Sequence, residues 1–521
     1  DAETAPPGAV SVPDRCFRPL SWAYAGISPT ETTEEPYFFL SRPRRFGKTL
    51  LISTMQDFFE GKRELFDGLA AGELETEWAS SPVIRLDMSM VKPVTVAGLR
   101  ERLGDILSAL EERFAVGERR ATTLGGRLSA LIECAAAGCE GSVVVLVDEY
   151  DAPLLNVIDD PETLDAFGDV MPEFYVPLKA CDERLRFVFL TGITKFSQLS
   201  IFSELNNLVN ISMNPAYAGI CGITEDELNN QLADDVAGLA ATLGVTASDA
   251  YALLKEHYDG YHFCAQSPDI YNPFSLLSAF FNGSVGSFWF ETGTPSSLIR
   301  LLAAKGWQIV DLEEREALDT GFDVPTESMD TPLSMLYQAG YLTIKSYDPE
   351  STVYTLGIPN REVSRGLSEG LVRLGGQGAL DEHSTFLIGL ARSLRSGDLD
   401  GALARLRAYL AGIPYHLGSR DERGFQTKFY LILDLLGIQI ETEFKTATGR
   451  VDAVVRARGN VYVFEFKYVR PATEALAQID RKGYMVPFSA EEGRLLKIGV
   501  RFDPETQTVG DWVIREGRTG N

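Results

Sequence analysis

The sequence predicts an α/β chain built on two separate sheets, and three stretches carry that expectation. In the first, Tyr37-Phe38-Phe39-Leu40-Ser41 leads into Arg42-Pro43-Arg44-Arg45-Phe46-Gly47-Lys48-Thr49 and then into a helical pattern. In the second, Val143-Val144-Val145-Leu146-Val147 is a continuous apolar run closed by Asp148 and Glu149. Both read as buried parallel strands with polar residues at their C-terminal ends, where α/β sheets hold ligands. In the third, Val463-Phe464-Glu465-Phe466-Lys467 sets Glu465 and Lys467 on one face of a strand and the two phenylalanines on the other. At 521 residues the chain exceeds what one hydrophobic core holds, since single cores stop growing at roughly 250–300 residues.

Composition narrows the class. Hydrophobic content of 45% and charged content of 23% are those of a globular protein, and no apolar run is long enough for a membrane span. The net charge of −26 argues against attraction of nucleic acid by the whole molecule. The distribution qualifies this: residues 421–521 hold 15 Lys and Arg against 15 Asp and Glu, so the excess lies in residues 1–420. A nucleic-acid surface is therefore tolerable at the C-terminal end. The six cysteines are scattered and share no metal-ligand spacing with the four histidines. Cys134 and Cys139, in an Ala-rich helical stretch, read as small buried thiols, and the compartment expected is a reducing cytoplasm. Asp1–Pro13 carries no secretory pattern, and a chain opening on Asp1 reads as a trimmed or processed product.

Residues 1–36, with six prolines and little periodicity, are expected to form an irregular arm. Beyond it, strand, loop and helix follow in the order that a phosphate-binding loop requires. Backbone N–H groups of the loop and of the helix start would face phosphate, Lys48 would add a charge, and Thr49 would hold Mg²⁺. The glycine usual five residues before Gly47 is replaced by Arg42. Pro82–Asp87 reads as a second strand and Val96–Phe114 as an amphipathic helix, so the elements alternate as a parallel sheet demands. With Lys48 and Asp148 both at strand ends, Asp148 is expected to assist Mg²⁺ and Glu149 to orient the attacking water. Leu185–Leu190 is a further strand, and it delivers Thr191, the first choice for a γ-phosphate sensor, with Thr194 second. Arg184 and Arg186, at its start, are candidates to reach a neighbouring subunit.

From Thr224 the pattern turns helical and acidic, and Thr224-Glu225-Asp226-Glu227 is a strong helix start. Aromatic turns at Tyr258-Asp259-Gly260-Tyr261 and Tyr271-Asn272-Pro273-Phe274 interrupt a helical lid. His257 and His262 lie there without a third metal ligand nearby. Pro332–Lys345 is of winged-helix type, and Ser384–Leu410 reads as a helical connector.

Residues 421–521 form a compact module: helix over Phe425–Leu436, strands over Gln439–Lys445, Val451–Arg456 and Asn460–Tyr468, helix over Thr473–Gly483, then two short strands. Asp452 begins the strand beside the one that bears Glu465 and Lys467. Asp452 and Glu465 can hold Mg²⁺ together, Lys467 can stabilise charge on a scissile phosphate, and Gln478 or Glu422 can complete the site.

With these residues in place the chain resembles a bacterial family that joins an AAA-ATPase-like domain to a C-terminal PD-(D/E)XK nuclease-superfamily domain. Arg42 to Thr49, Val147-Asp148-Glu149-Tyr150-Asp151, Leu190 to Lys195, Tyr258-Asp259-Gly260-Tyr261, Asp452, Glu465-Phe466-Lys467 and Ala477-Gln478-Ile479 carry the resemblance. The arginine-rich loop is the normal form there; the departure is upstream, where Pro19–Pro36 lacks the Tyr-Val-Asp-Lys-Thr-like segment of similar proteins. The resemblance implies a P-loop ATPase parallel sheet with a helical lid and winged-helix-like region, followed by a small α/β restriction-endonuclease-like domain. The expected division is an arm over 1–36, an ATPase-like core over 37–222, lid and winged region over 223–359, connector over 360–420 and nuclease-like domain over 421–521. ATP would lie on Arg44, Arg45, Phe46, Gly47, Lys48, Thr49, Leu50, Asp148 and Thr191, with Mg²⁺ on Thr49 and Asp148. A second Mg²⁺ would lie on Asp452 and Glu465, with Glu149, Asp452, Glu465, Lys467 and Gln478 as catalytic groups. A homo-oligomer that binds and hydrolyses ATP and couples it to a Mg²⁺-dependent nuclease, in nucleic-acid processing or defence, is the first expectation; a nucleotide-switched binding or signalling ATPase with a non-catalytic nuclease fold is the alternative.

Overall fold

The computed structural model describes residues 37–117, 121–137, 143–158, 160–195, 208–291, 312, 315–322, 333–367, 386, 389–390, 392–394, 396–411, 425–426, 429–430, 432–433, 439–446, 448–457, 459–489, 491, 493–506 and 508–517. The expected arm over 1–36, Cys139 and Glu422 lie outside these residues. The chain divides into two compact units, residues 1–289 with 314–360 and residues 290–313 with 361–521.

The first unit is built on a parallel sheet of β1 (Tyr37–Ser41), β2 (Val83–Asp87), β3 (Val143–Asp148), β4 (Leu185–Gly192) and β5 (Leu208–Asn210), in the order β2-β3-β4-β1-β5. Burial on both faces explains the unbroken apolar runs of β1 and β3. Helices α1 (Lys48–Phe59), α2 (Val96–Arg113), α3 (Leu124–Ala137) and α4 (Pro161–Tyr175) surround it. Leu99, Leu103, Leu107 and Leu110, spaced four, four and three apart, give α2 one buried stripe in the core.

The lid follows. Thr224 closes a capping box with Glu227 at the head of α5 (Glu225–Gln231), and Thr246 closes another with Asp249 at the head of α7 (Ala247–Tyr258), which follows α6 (Ala233–Leu243). Short strands β6 (Ile223–Thr224) and β7 (Ile270–Tyr271) pair beneath these helices. The expected aromatic turn at Asn272-Pro273 instead opens a helix, α8 (Pro273–Asn282), because the Asn272 side chain accepts from the Phe274 and Ser275 N–H groups and proline suits the first helical position. The winged region consists of β8 (Arg315–Ala317), α9 (Leu333–Gln338), β9 (Thr343–Asp348) and β10 (Val353–Gly357), with sheet order β8-β10-β9. His262 serves it structurally: its ring lies 2.7 Å from Asp269 Oδ1 and 2.9 Å from the Ile344 carbonyl.

The second unit contains α10 (Leu399–Ala411), β11 (Gln439–Thr446), β12 (Gly449–Ala457), β13 (Asn460–Tyr468), α11 (Ala472–Lys482), β14 (Leu495–Asp503) and β15 (Thr508–Glu516). Its mixed sheet runs β11 to β15 in sequence order, and only β13–β14 is parallel because α11 carries the chain across between them. The segment read as a connector contributes to this core: Leu399, Leu403, Leu406 and Leu410 of α10 are buried in one cluster with Phe464 and Phe466. No single helix among the described residues is long and apolar enough to cross a membrane.

Candidate functional site

The first site forms at the C-terminal ends of β1, β4 and β3. Gly47, at φ 93°, turns the chain into α1, and no side chain caps that helix start, so its first N–H groups remain available to an anion. Lys48 is buried, and its ammonium donates to the carbonyls of Arg42 at 2.9 Å and Pro43 at 3.0 Å. Burial lowers its proton affinity, and Glu149 is the foremost group opposing that.

Arg42 is no loop residue in the usual sense. Only 1% exposed, its guanidinium donates to the carbonyls of Ser41, Ser212 and Tyr217 and lies 4.1 Å from the centre of the Phe263 ring. Its burial among these groups pushes it down to about 10. The next four loop residues, Pro43 to Phe46, each meet the lid or winged region. Pro43 faces Gly340, where a Cβ would approach the proline Cβ to 2.6 Å, and φ is +85°. The Trp289 indole donates to the Arg44 carbonyl at 3.0 Å, the Arg45 guanidinium covers Phe274, and Phe46 packs edge-on against Tyr261 and Phe263. The side chains of Arg44, Arg45 and Thr49 remain exposed, and Leu50 is half-buried.

β4 lies between the loop strand β1 and the acidic strand β3, which brings Thr191 between the two. Thr191 is fully buried; its hydroxyl donates to Asp148 Oδ1 at 2.9 Å and accepts the Glu149 N–H at 3.3 Å. Asp148 is likewise buried, 3.9 Å from Arg85. Glu149 sits at φ 53°, a left-handed conformation that turns the chain sharply at the strand end, and burial raises its pKa against the pull of Lys48. Sequence reasoning did not assign a role to Asp151, although it closes the same acidic run. One oxygen of this fully buried carboxylate accepts the N–H groups of Ile193 and Thr194 and the Thr194 hydroxyl, which ties the β4 end to the acidic turn. Gln338, also unassigned, accepts the Lys195 N–H at 2.8 Å. Arg186 lies at the opposite end of β4, donating to Ser81 and covering Phe59, and Arg184 is close by in sequence.

The second site forms where two strands part. The β12–β13 ladder ends at Ala453–Phe464, and the next N–H on β13, that of Phe466, is taken by the Asp452 carboxylate at 2.6 Å. Glu465 is 1% exposed; Lys467 donates to it at 2.9 Å and to the Phe466 carbonyl at 2.9 Å. Gln478, reaching from α11, donates its amide to the same Glu465 oxygen. Asp452, Glu465, Lys467 and Gln478 thus meet where the β12–β13 ladder stops. Among the described residues no three His, Cys, Asp or Glu side chains cluster as metal ligands. The donor set of two carboxylates fits Mg²⁺, which keeps most of its water and takes one or two carboxylates plus phosphate oxygens, and fits poorly a metal that needs nitrogen or sulfur.

A chain with an ATPase-type parallel sheet and a separate PD-(D/E)XK-type sheet is what these two sites define. It belongs to the family of AAA-ATPase-like proteins that carry a C-terminal PD-(D/E)XK nuclease-superfamily domain. Residues 27–202 match the family described as Predicted AAA-ATPase, and residues 420–512 match the PD-(D/E)XK nuclease superfamily. The chain is 32% identical over 497 residues to the "Uncharacterized protein in vnfD 5'region" of Azotobacter chroococcum mcd 1, covering 92% of each chain. Among solved structures it is similar to the Aeropyrum pernix ORC2 protein in ADPNP–ADP complexes, at 14% identity, 69% of this chain, 92% of that chain and a TM-score of 0.25. It is also similar to the Aeropyrum pernix ORC1 protein in complex with DNA, at 14% identity, 69% of this chain, 93% of that chain and a TM-score of 0.23. Both scores are low, and no ligand or partner follows from them.

Proposed function

We propose that the first unit binds and hydrolyses ATP with Mg²⁺, and that its nucleotide state governs a Mg²⁺-dependent phosphodiesterase in the second unit that acts on nucleic acid. The observation that carries the second half is the meeting of Asp452, Glu465, Lys467 and Gln478 where the β12–β13 ladder stops. Asp452 and Glu465 would hold the ion, which when bound would polarise the phosphate and lower the pKa of its water. Lys467 is adjacent, and its ammonium group would suit the charge that develops on a phosphate oxygen. Gln478 keeps Glu465 oriented.

In the first unit, Lys48, the α1 N–H groups and the exposed Arg44 and Arg45 would bind the phosphates, with Phe46, Gly47 and Leu50 shaping the loop. Thr49 and Asp148 would hold Mg²⁺, and Glu149 would orient water. Thr191 would act through Asp148 and the Glu149 N–H, since its hydroxyl is already engaged with both. We extend the proposal to a homo-oligomeric protein of the bacterial cytoplasm, the state that the family resemblance implies and that sparse thiols suit.

Incubating the full chain with DNA and RNA substrates, Mg²⁺ or Mn²⁺, and ATP tests the nuclease half. Cleavage that disappears in Asp452→Ala is expected; equal products from both proteins would end that claim. For the ATPase, Glu149→Gln is expected to slow phosphate release by about 10²-fold or more while ATP still binds, and an unchanged rate would count against hydrolysis at this site.

A further inference from the structure

One strand pairing in the second unit is irregular. Val500 pairs with Trp512 and Phe502 with Val509, so two residues of β15, Gly510 and Asp511, stand opposite Arg501 alone. Bulges of this kind occur beside functional sites, where they re-aim a side chain. Arg501 fills the room that this one makes: a Cβ on Gly510 would lie 2.8 Å from the guanidinium Nη2. Its Nε donates to the Asp511 carboxylate, and Asp503 lies 3.6 Å from Nη1. Asp511 also accepts the Ala472 N–H at 3.4 Å, which ties the pair to the head of α11. The arginine is thus steadied by sheet and helix, yet its side chain stays 28% exposed. The register shows what it adjoins. β13 and β14 run parallel, with Glu465 opposite Gly499 and Lys467 opposite Arg501. Leu496, Ile498, Val500 and Phe502 turn into the core that α10 covers, so Gly499 and Arg501 share the other face with Glu465 and Lys467. α11 lies on that face, since a Cβ on Gly499 would meet the Ala472 carbonyl at 2.2 Å. Neighbouring strands are about 4.8 Å apart, so Arg501 flanks Lys467 on the side away from Asp452.

We infer that Arg501 is a further phosphate-binding residue of the C-terminal site: it takes the nucleic-acid backbone phosphate next to the one at Lys467, and Asp511 and Asp503 hold its guanidinium ready. A guanidinium carries five N–H donors in a planar fork, so two carboxylates orient it without exhausting it. The β15 bulge and Gly510 are then explained together, as the means of laying the fork beside the site. The contact reads charge and not sequence, because a phosphate is the same at every nucleotide. The inference rests on the reading of the second unit as one that acts on nucleic acid, and deepens it.

The test is binding of the full chain to a short fluorescent DNA duplex, its single strand and the matching RNA, in EDTA and again in Ca²⁺, from about 50 to about 200 mM salt. Arg501→Gln is expected to weaken each complex roughly 10-fold at the lowest salt. It should also reduce the slope of log affinity against log salt by about 0.7–0.9, the mark of one phosphate contact fewer. Asp511→Asn, which removes a competing carboxylate from the guanidinium, is expected to tighten binding by about 3-fold, and to add nothing in an Arg501→Gln background. A purely structural ion pair would lose by either substitution and leave the salt slope alone. A wild-type slope in Arg501→Gln, or undiminished tightening by Asp511→Asn without Arg501, overturns the inference and leaves the metal site to its own test by cleavage. Should Arg501→Gln fold poorly, Asp511→Asn alone decides, and weaker binding there overturns the inference. A wild-type chain that binds none of the three probes removes this contact and the nucleic-acid reading together.

Discussion

Asp259 is a carboxylate in an expensive place. It is 2% exposed, one oxygen has no hydrogen-bond partner, and burial pushes it up to about 6, with Asp269 reinforcing the shift and Lys255, 3.7 Å away, opposing it. Because the folded chain holds this proton more tightly than the unfolded one, the stability it contributes is full below pH ~4 and is lost as the pH rises through about 6. Asp259→Asn is therefore expected to stabilise the first unit at pH 7.5 and to make little difference at pH 4, read from urea midpoints at the two pH values. Gly340 is a steric counterpart. Gly340→Ala would drive a methyl into Pro43 and strain a left-handed backbone, at a cost of about 1–3 kcal/mol. Thermal unfolding should show that loss, together with weakened protection by ATP. At this scale the sequence identified groups by their chemistry: Asp148 closes β3, Lys48 opens the helix that follows β1 and its loop, and Glu465 and Lys467 lie on β13, where alternation and apolar runs put them. It did not disclose the role of Arg42, because what makes that residue matter is the carbonyls of Ser212 and Tyr217, far along the chain.

At the scale of elements, periodicity located most of what it could. α2 and β3 match their expected spans to within a residue, since each carries an unbroken apolar signal of its own. β5 was illegible: it has three residues, ends in Asn210, and exists through pairing with β1. α10 shows another limit. Its leucines gave a helix, but what that helix covers is fixed by strands that follow it in the chain, so a connector and a core helix look the same in sequence. Leu403→Ala and Leu406→Ala are each expected to destabilise the second unit by about 2–5 kcal/mol. Chemical denaturation followed by a probe in that unit, such as Trp512, would register it; a surface connector would lose almost nothing.

The whole molecule couples an acidic majority to an electrically neutral C-terminal segment, and the chemistries assigned to its two units differ accordingly. Nucleotide bound only by the folded first unit should stabilise that unit by about 2.7 kcal/mol at a hundred times its dissociation constant. Differential scanning calorimetry of the full chain with Mg²⁺–ATP is expected to raise the transition of that unit, and Lys48→Ala to abolish the rise. The charge balance changes near residue 421, whereas the second compact unit takes in residues 290–313 and 361–521 and buries the α10 leucines in its core, a packing that leaves no mark on charge composition.

Arg42 stands where similar loops carry glycine, and a protein engineer would be tempted to repair it. Here the repair would do harm. A glycine at 42 would leave an arginine-sized hollow beneath the loop, abandon the carbonyls of Ser41, Ser212 and Tyr217, and uncover Phe263. The more familiar-looking sequence would encode the worse protein, because this arginine is a buried strut beneath the loop that it opens.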